Sequence, residues 1–261
     1  VSSPAPPPPL TALADLPSQL AAAGFAVLDA AGLAALVRRP RQTVFAGWAP
    51  HWSDLPPDTY LRDGGRYRRR RHGCFVIEPA GDGAAARQVV PAPHRAHWQP
   101  LDYNALHGGI ERWFEPLPTA LAEADGFHAL LEAMARVADG LRPAAAGAPW
   151  FAEAHAFRID ASEGIGRPTP EGAHRDGVDL VAVMLVGRHG VKGGETRVFD
   201  AHGPQGMRFT LAEPFSVLLL DDARVIHETT PIQPVQAGAS AYRDTLVLTL
   251  RAGGFQGPGE A

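Results

Sequence analysis

The stretch HRDGVD at 174–179, read with HETTP at 227–231 and RDTLVLTLR at 243–251, decides how this chain folds. His174 and Asp176 are separated by one residue, and side chains two apart on an extended strand point to the same face. They can therefore meet at one metal ion. His227 follows FSVLLLDDARVI, an apolar strand and turn that presents a side chain from a rigid support. Two imidazoles and one carboxylate on one face of a divalent ion leave its other positions open, the pattern of mononuclear non-haem iron sites.

Arg243 lies sixteen residues beyond His227 and opens an alternating apolar strand, with Thr245 two residues on and sharing its face. An arginine in that setting can grip a carboxylate in a fixed two-pronged geometry. A second reading pairs Arg243 with a neighbouring acid, Asp244 or Asp222. Gly193 and Gly194 suit a turn that needs positive φ, which would lay ETRVFD (195–200) beside the metal-bearing segment. Glu195 is read as a solvated turn carboxylate.

From Trp150 onward, short strands are separated by Gly and Pro turns, at 150–160, 178–186, 195–200, 207–211, 215–220 and 243–251. Closely spaced strands of this kind point to an antiparallel sandwich or jelly roll. Upstream the pattern is mixed. Residues 18–23 read as a helix stopped by Gly24, residues 25–28 as a strand, and Asp29 as the cap of a helix ending before Pro40. Residues 67–77 are extended in character. Phe127, Leu130, Leu131, Met134, Val137 and Ala138 fall on one helical face closed by Gly140. The opening VSSPAPPPP (1–9) reads as a flexible proline-rich tail, followed by one domain over 10–261 whose catalytic β core spans about 150–251.

With 261 residues and 45% hydrophobic content the chain can bury a sizeable core. A formal charge of −4 gives no general attraction to nucleic acid or an anionic membrane. A single cysteine, Cys74, excludes an internal disulfide framework and predicts a cytoplasmic setting. No apolar run approaches a membrane span.

The segments HAFRI (155–159), HRDGVD, GGETRVFD (193–200), HETTP and RDTLVLTL, in that order, resemble the 2-oxoglutarate/Fe(II)-dependent dioxygenases. Within them the chain is most similar to the bacterial branch that hydroxylates free amino acids, the L-isoleucine dioxygenase type, and NALHGGIERWFEPL (104–117) shares that likeness. The resemblance implies an α+β fold with a double-stranded β-helix (jelly roll, cupin-like) core and flanking helices. It implies Fe(II) held by His174, Asp176 and His227, with 2-oxoglutarate and O2 as co-substrates. Arg243 would hold the far carboxylate of 2-oxoglutarate, and Thr245 would add a hydroxyl. Retention of Asp176 favours hydroxylation over halide transfer, since related halogenases replace this carboxylate with a small residue. Sulfur oxidation of a methionine-like substrate uses the same centre.

RYRRRRHG (66–73) invites a nucleic-acid reading, but one alternating strand with half its arginines in solvent fits the acidic chain better. An inward member, Arg68 or Arg70 with Tyr67, would then bind a substrate carboxylate, and Arg158 is a further candidate. His155 shares a strand face with Phe157 and Ile159 and reads as a core histidine. Gln99 and Asn104, ahead of a turn at His107, are candidates to line the cavity. Sequence leaves two other readings open. One is a non-catalytic metal-binding scaffold in stress response or sensing. The other is an oxygenase acting on a macromolecule. Oligomeric state is not legible.

Overall fold

The computed structural model describes residues 6–79, 81, 87–104, 106 and 108–258, so residues 1–5 of the tail and His107 lie outside the described residues. The strands are β1 (Phe25–Leu28), β2 (Arg68–Glu78), β3 (Gln88–Pro91), β4 (Trp150–Asp160), β5 (Leu180–His189), β6 (Val191–Gly193), β7 (Thr196–Asp200), β8 (Gly206–Phe209), β9 (Val217–Asp221), β10 (Val225–Thr229), β11 (Ile232–Pro234) and β12 (Tyr242–Ala252). The helices are α1 (Leu16–Ala23), α2 (Ala30–Val37), α3 (Arg41–Val44), α4 (Thr119–Ala122) and α5 (Asp125–Leu141).

The major sheet has the order β1-β9-β5-β12-β4-β2-β3, and every pair in it is antiparallel. A three-stranded sheet, β10-β7-β8, and the pair β11-β6 form the remaining strand layers. This is an α+β fold with the double-stranded β-helix core and flanking helices that the sequence predicts.

Alternation along the central strands sorts their two faces. Leu246, Leu248 and Leu250 of β12, with Ala152, Ala154 and Ala156 of β4, share one apolar core with Phe127, Leu130, Leu131 and Met134 of α5. The opposite face carries Val181 and Leu185 of β5, which join Val198, Phe209 and Val225 of the smaller sheet in a second core. Further along that face the side chains turn polar: Thr245, Thr249, His155, Arg68, Arg70 and His72 are all buried there. Removing so many polar groups from water costs free energy unless partners wait inside. The polar end is thus where a site can be built.

Local signals explain the element ends. Gly24 caps α1 at φ 73°, its N–H donating to the Leu20 carbonyl, and Asp29 caps α2 by accepting from Gly32 N at 2.7 Å. Gly140 does not close α5, which runs through Leu141 because Gly inside a helix is only mildly unfavourable. HETTP begins on a strand of its own, β10, which ends at Thr229 and pairs with β7 so that His227 stands opposite Val198. From Pro6 onward the proline-rich segment is engaged, its Pro6 carbonyl accepting from Thr210 N at 3.3 Å and Leu10 bridging Val27.

Candidate active site

His174 does not sit on a regular strand. It forms a single antiparallel bridge with His227, each backbone N–H donating to the other's carbonyl at 3.1 and 2.9 Å. That bridge places the two rings side by side, with centroids 4.7 Å apart. Asp176 follows, its carboxylate 3.8 Å from His174 Nε2 and 3.3 Å from His227 Nε2. One ligand-type atom from each of the three residues lies within 4.8 Å of the others. Nδ1 of His174 bonds the Gly172 carbonyl at 2.9 Å, which fixes the ring and turns Nε2 toward Asp176. Burial works to raise the Asp176 carboxyl, but the hydrogen bond from His227 and the charge of His174 outweigh it and hold the group below the usual range. Two oriented imidazoles beside an ionised carboxylate are a donor set that fits Fe(II).

The turn carrying Asp176 is braced from behind. Asp222, fully buried, accepts from the backbone N–H of Asp176, Gly177 and Val178 at 3.0, 2.8 and 3.1 Å. Gln99 Nε2 donates to Asp176 at 2.9 Å, while its carbonyl oxygen accepts from Asn104 and Arg112. Both predicted polar positions are thus part of the pocket lining.

Arg243 lines the same cavity, is only 3% exposed, and its Nε and Nη2 have no hydrogen-bond partner among the described residues. Burial and the neighbouring Arg188 pull its pKa down to about 10, so it remains charged at neutral pH. The reading that pairs it with Asp244 or Asp222 is corrected. Asp244 turns to the other face into a two-pronged pair with Arg158, both contacts at 2.7 Å, and Asp222 serves the backbone. Thr245 is buried one rung along and lines the cavity. Gly193 and Gly194 have φ of 80° and 70°, and Arg188 donates to the Gly193 carbonyl at 2.7 Å.

On β2, Arg68 and Arg70 point inward and Arg69 and Arg71 outward, as alternation requires. Arg68 Nε donates to the buried Asp58 at 2.7 Å. The Arg70 guanidinium lies between the rings of Phe114 and Phe157, 3.8 and 4.4 Å from their centroids. Arg68 Nη2, Arg70 Nε and Arg112 Nε are buried without partners among the described residues. Two predicted substrate residues stand elsewhere. The Tyr67 hydroxyl donates to Asp63 at 2.6 Å and its ring lines an outer depression. Arg158 lies on the far face of β4 with Asp244, because the face shared by His155, Phe157 and Ile159 is the one that meets the cavity. The cavity has a volume of about 110 Å³.

Behind the arginines lies a second cluster. The Glu153 carboxylate accepts from His72 Nε2 at 2.9 Å and from His97 Nδ1 at 2.6 Å, and stands 3.6 Å from His155 Nε2. These four residues also converge closely enough for a metal. Arginine has only donors, so the 2.7 Å contact between Arg70 Nη2 and His155 Nδ1 makes that nitrogen an acceptor and puts the proton of neutral His155 on Nε2. His155 as bonded has no lone pair to give a metal. Burial pushes His97 down to about 4 and His155 well below its ordinary value. The cluster is a hydrogen-bonded hub of neutral rings on one carboxylate. Sequence reasoning missed Glu153, His97, Arg112, Asp58 and Glu171, since no local motif marks them and only the fold brings them to one wall.

A buried, unpaired arginine beside a two-histidine, one-carboxylate set is the equipment of one enzyme class, and comparison with known proteins agrees. The family model described as 2OG-Fe dioxygenase matches residues 49–249. The chain belongs to the 2-oxoglutarate/Fe(II)-dependent dioxygenases, enzymes that use Fe(II) and 2-oxoglutarate. Among solved structures it is similar to a bsmA homolog from Methylobium petroleophilum PM1, at 53% identity and a TM-score of 0.87, covering 96% of this chain and 97% of that one. IDO from Bacillus thuringiensis shares the fold at 14% identity and a TM-score of 0.72, over 94% of this chain and 97% of that one. The Fe(II)/α-ketoglutarate-dependent dioxygenase TqaL does so at 20% identity and a TM-score of 0.60, over 92% and 86%. No curated protein sequence matches the chain. No described helix is long and apolar enough to cross a membrane.

Proposed function

We propose that this dioxygenase hydroxylates a free L-amino acid, with His174, Asp176 and His227 as the iron ligands. The observation that carries the reading is the presence of two separate sets of unpartnered guanidinium nitrogens on one small cavity. Arg243 on β12 and Arg68 on β2 flank Ile159 of β4 in one rung, so two strand spacings separate them. One set suits the far carboxylate of 2-oxoglutarate, and the other the carboxylate of a small substrate.

When bound, iron and 2-oxoglutarate would activate O2, one oxygen atom replacing C–H by C–OH and the other entering succinate as 2-oxoglutarate loses carbon dioxide. The chain does the rest. Arg243 and Thr245 orient 2-oxoglutarate, and Gln99 and Asp222 keep the Asp176 carboxylate in place. Arg68, Arg70 and Arg112 fix the substrate's carboxylate, while Phe157, Ile159 and Val247 cover the remaining walls and exclude water. Asp176 fills the position that a halide would need, which supports hydroxylation. A macromolecular substrate is disfavoured by the placement of the arginine run: Arg68 and Arg70 are buried, and Arg71 is paired with Glu115 at 2.9 Å.

The test is anaerobic addition of Fe(II) and 2-oxoglutarate, followed by oxygen and the twenty L-amino acids. A visible charge-transfer band, then succinate and a mass gain of one oxygen with a particular amino acid, is expected. A band with no amino acid promoting succinate would refute the substrate class. Absence of the band with one iron bound would refute the site.

A further inference from the structure

Glu171 stands three residues ahead of His174 on the wall of the same cavity, with its side chain 12% exposed. Its Oε1 lies 3.6 Å from His174 Nε2, and its buried Oε2 has no partner among the described residues. A buried carboxylate oxygen without a donor is costly, and such groups in a pocket wall are commonly completed by a ligand. Arg112, on the same cavity, donates through Nη2 to Gln99 but leaves its buried Nε without a partner among the described residues. The two charges are near enough for Glu171 to favour the charged form of Arg112, yet they form no ion pair. A cavity lined by a carboxylate oxygen and a guanidinium nitrogen that both lack partners among the described residues fits a molecule carrying both charges close together.

We propose, on the reading given above, that Glu171 accepts the α-ammonium of the substrate while Arg112, with Arg68 and Arg70, takes its α-carboxylate. The two groups of an α-amino acid share one carbon, so their partners must lie within a few ångströms of each other. Glu171 and the three arginines line one small cavity, and Glu171 Oε1 also stands 3.6 Å from His174 Nε2 on the iron-ligand side. Placed between them, the α-carbon holds the side chain next to the reactive centre. The site then selects unblocked zwitterionic α-amino acids and discriminates against N-acylated ones, peptide-linked residues and simple carboxylic acids. Glu171 is in this account a specificity-determining residue that touches substrate.

The experiment uses iron-loaded protein with 2-oxoglutarate and the amino acid that gives most succinate among the twenty L-amino acids. Its N-acetyl derivative and the matching carboxylic acid without the amino group are compared with it, by turnover and by calorimetric titration without oxygen. Loss of one charge-assisted hydrogen bond predicts at least roughly tenfold weaker binding of both analogues to the wild type. Glu171→Gln should raise KM for the free amino acid by about 10- to 100-fold, leave the KM for 2-oxoglutarate in place, and narrow the preference over the N-acetyl form. Glu171→Asp should recover part of that preference. Iron content and the charge-transfer band of each variant report whether His174 has been disturbed. An unchanged KM in Glu171→Gln with the iron centre intact overturns the assignment and leaves the proposed function standing. Silence of all twenty amino acids with the wild type overturns the proposed function itself.

Discussion

Arg70 donates through Nη2 to Nδ1 of His155 at 2.7 Å, and that one contact separates two histidine clusters that are otherwise alike as metal sites. With its proton on Nε2, His155 faces Glu153 as a donor rather than a ligand. The protein should therefore bind one equivalent of Fe(II). His174→Ala should abolish that binding, and His155→Gln should retain it, as read by metal analysis after anaerobic desalting. Two equivalents in the wild type would show that the Glu153 cluster takes a metal as well.

Arg243 combines full burial with a missing partner, so its removal should act in opposite directions on ligand binding and on stability. Arg243→Met is expected to weaken 2-oxoglutarate binding by at least about tenfold, since hydrogen bonds to charged groups contribute roughly 1.5–3 kcal/mol. Without 2-oxoglutarate the same variant should be as stable as the wild type or more so, because an unpaired buried charge is replaced by an apolar chain. Titration calorimetry and urea unfolding read the two effects. A loss of stability without loss of affinity would make Arg243 structural.

Asp222 never touches the cavity, yet it receives three consecutive backbone N–H groups from the turn that carries Asp176. Asp222→Ala should free that turn and reduce iron affinity by about 10- to 100-fold, the usual effect of removing a group that orients a ligand. Competition with a calibrated chelator measures it. An unchanged affinity would show that Gln99 alone holds the carboxylate.

The legible and the hidden parts of this site divide along a physical line. His174, Asp176, His227 and Arg243 carry chemistry in short motifs, and the strands that present them alternate strongly enough to be read from sequence. Alternation also put Arg68 and Arg70 inward together. It gave no sign for β4, where either face could have met the cavity. The cavity face proved to be that of His155, Phe157 and Ile159, and Arg158 was left to Asp244. Asp58, Arg112, Glu153 and Glu171 lie in loops or on strands where a charged residue is ordinarily solvated. Their burial depends on contacts between elements remote in the chain, which no local pattern records.

Acid should destabilise the protein earlier than carboxylate titration alone would. Burial holds His97 down to about 4 and lowers His72 and His155 from a usual value of about 6.5. These rings are neutral when folded and take up protons on unfolding. Stability is then lost as pH falls from about 6.5 toward 4, by up to about 1.4 kcal/mol per pH unit for each ring. In the metal-free protein His174 runs the other way. Burial opposes its charge, but Asp176 and Glu171 outweigh that and raise its pKa. It therefore contributes stability that is fully present below about 6.5 and is lost as pH rises through its folded value, so the acid-side slope remains that of the three rings. Urea unfolding between pH 4.5 and 7 tests this, and a flat profile would contradict it.

The residues assigned to iron and 2-oxoglutarate lie on the 174–176 turn, β10 and β12, whereas Arg68, Arg70 and Arg112 come from β2 and the 94–117 segment. The arginine clamp and the oxidising centre are thus written largely in separate parts of the chain, joined where Gln99 meets Asp176 and where Glu171 precedes His174. β2 lies next to the edge strand β3, and it meets the rest of the sheet along the single seam with β4. A graft of β2 and the 94–117 segment from another member of the family would replace the clamp while keeping the iron ligands and Arg243. Substrate range could in this way drift or be redesigned without rebuilding the oxidising centre.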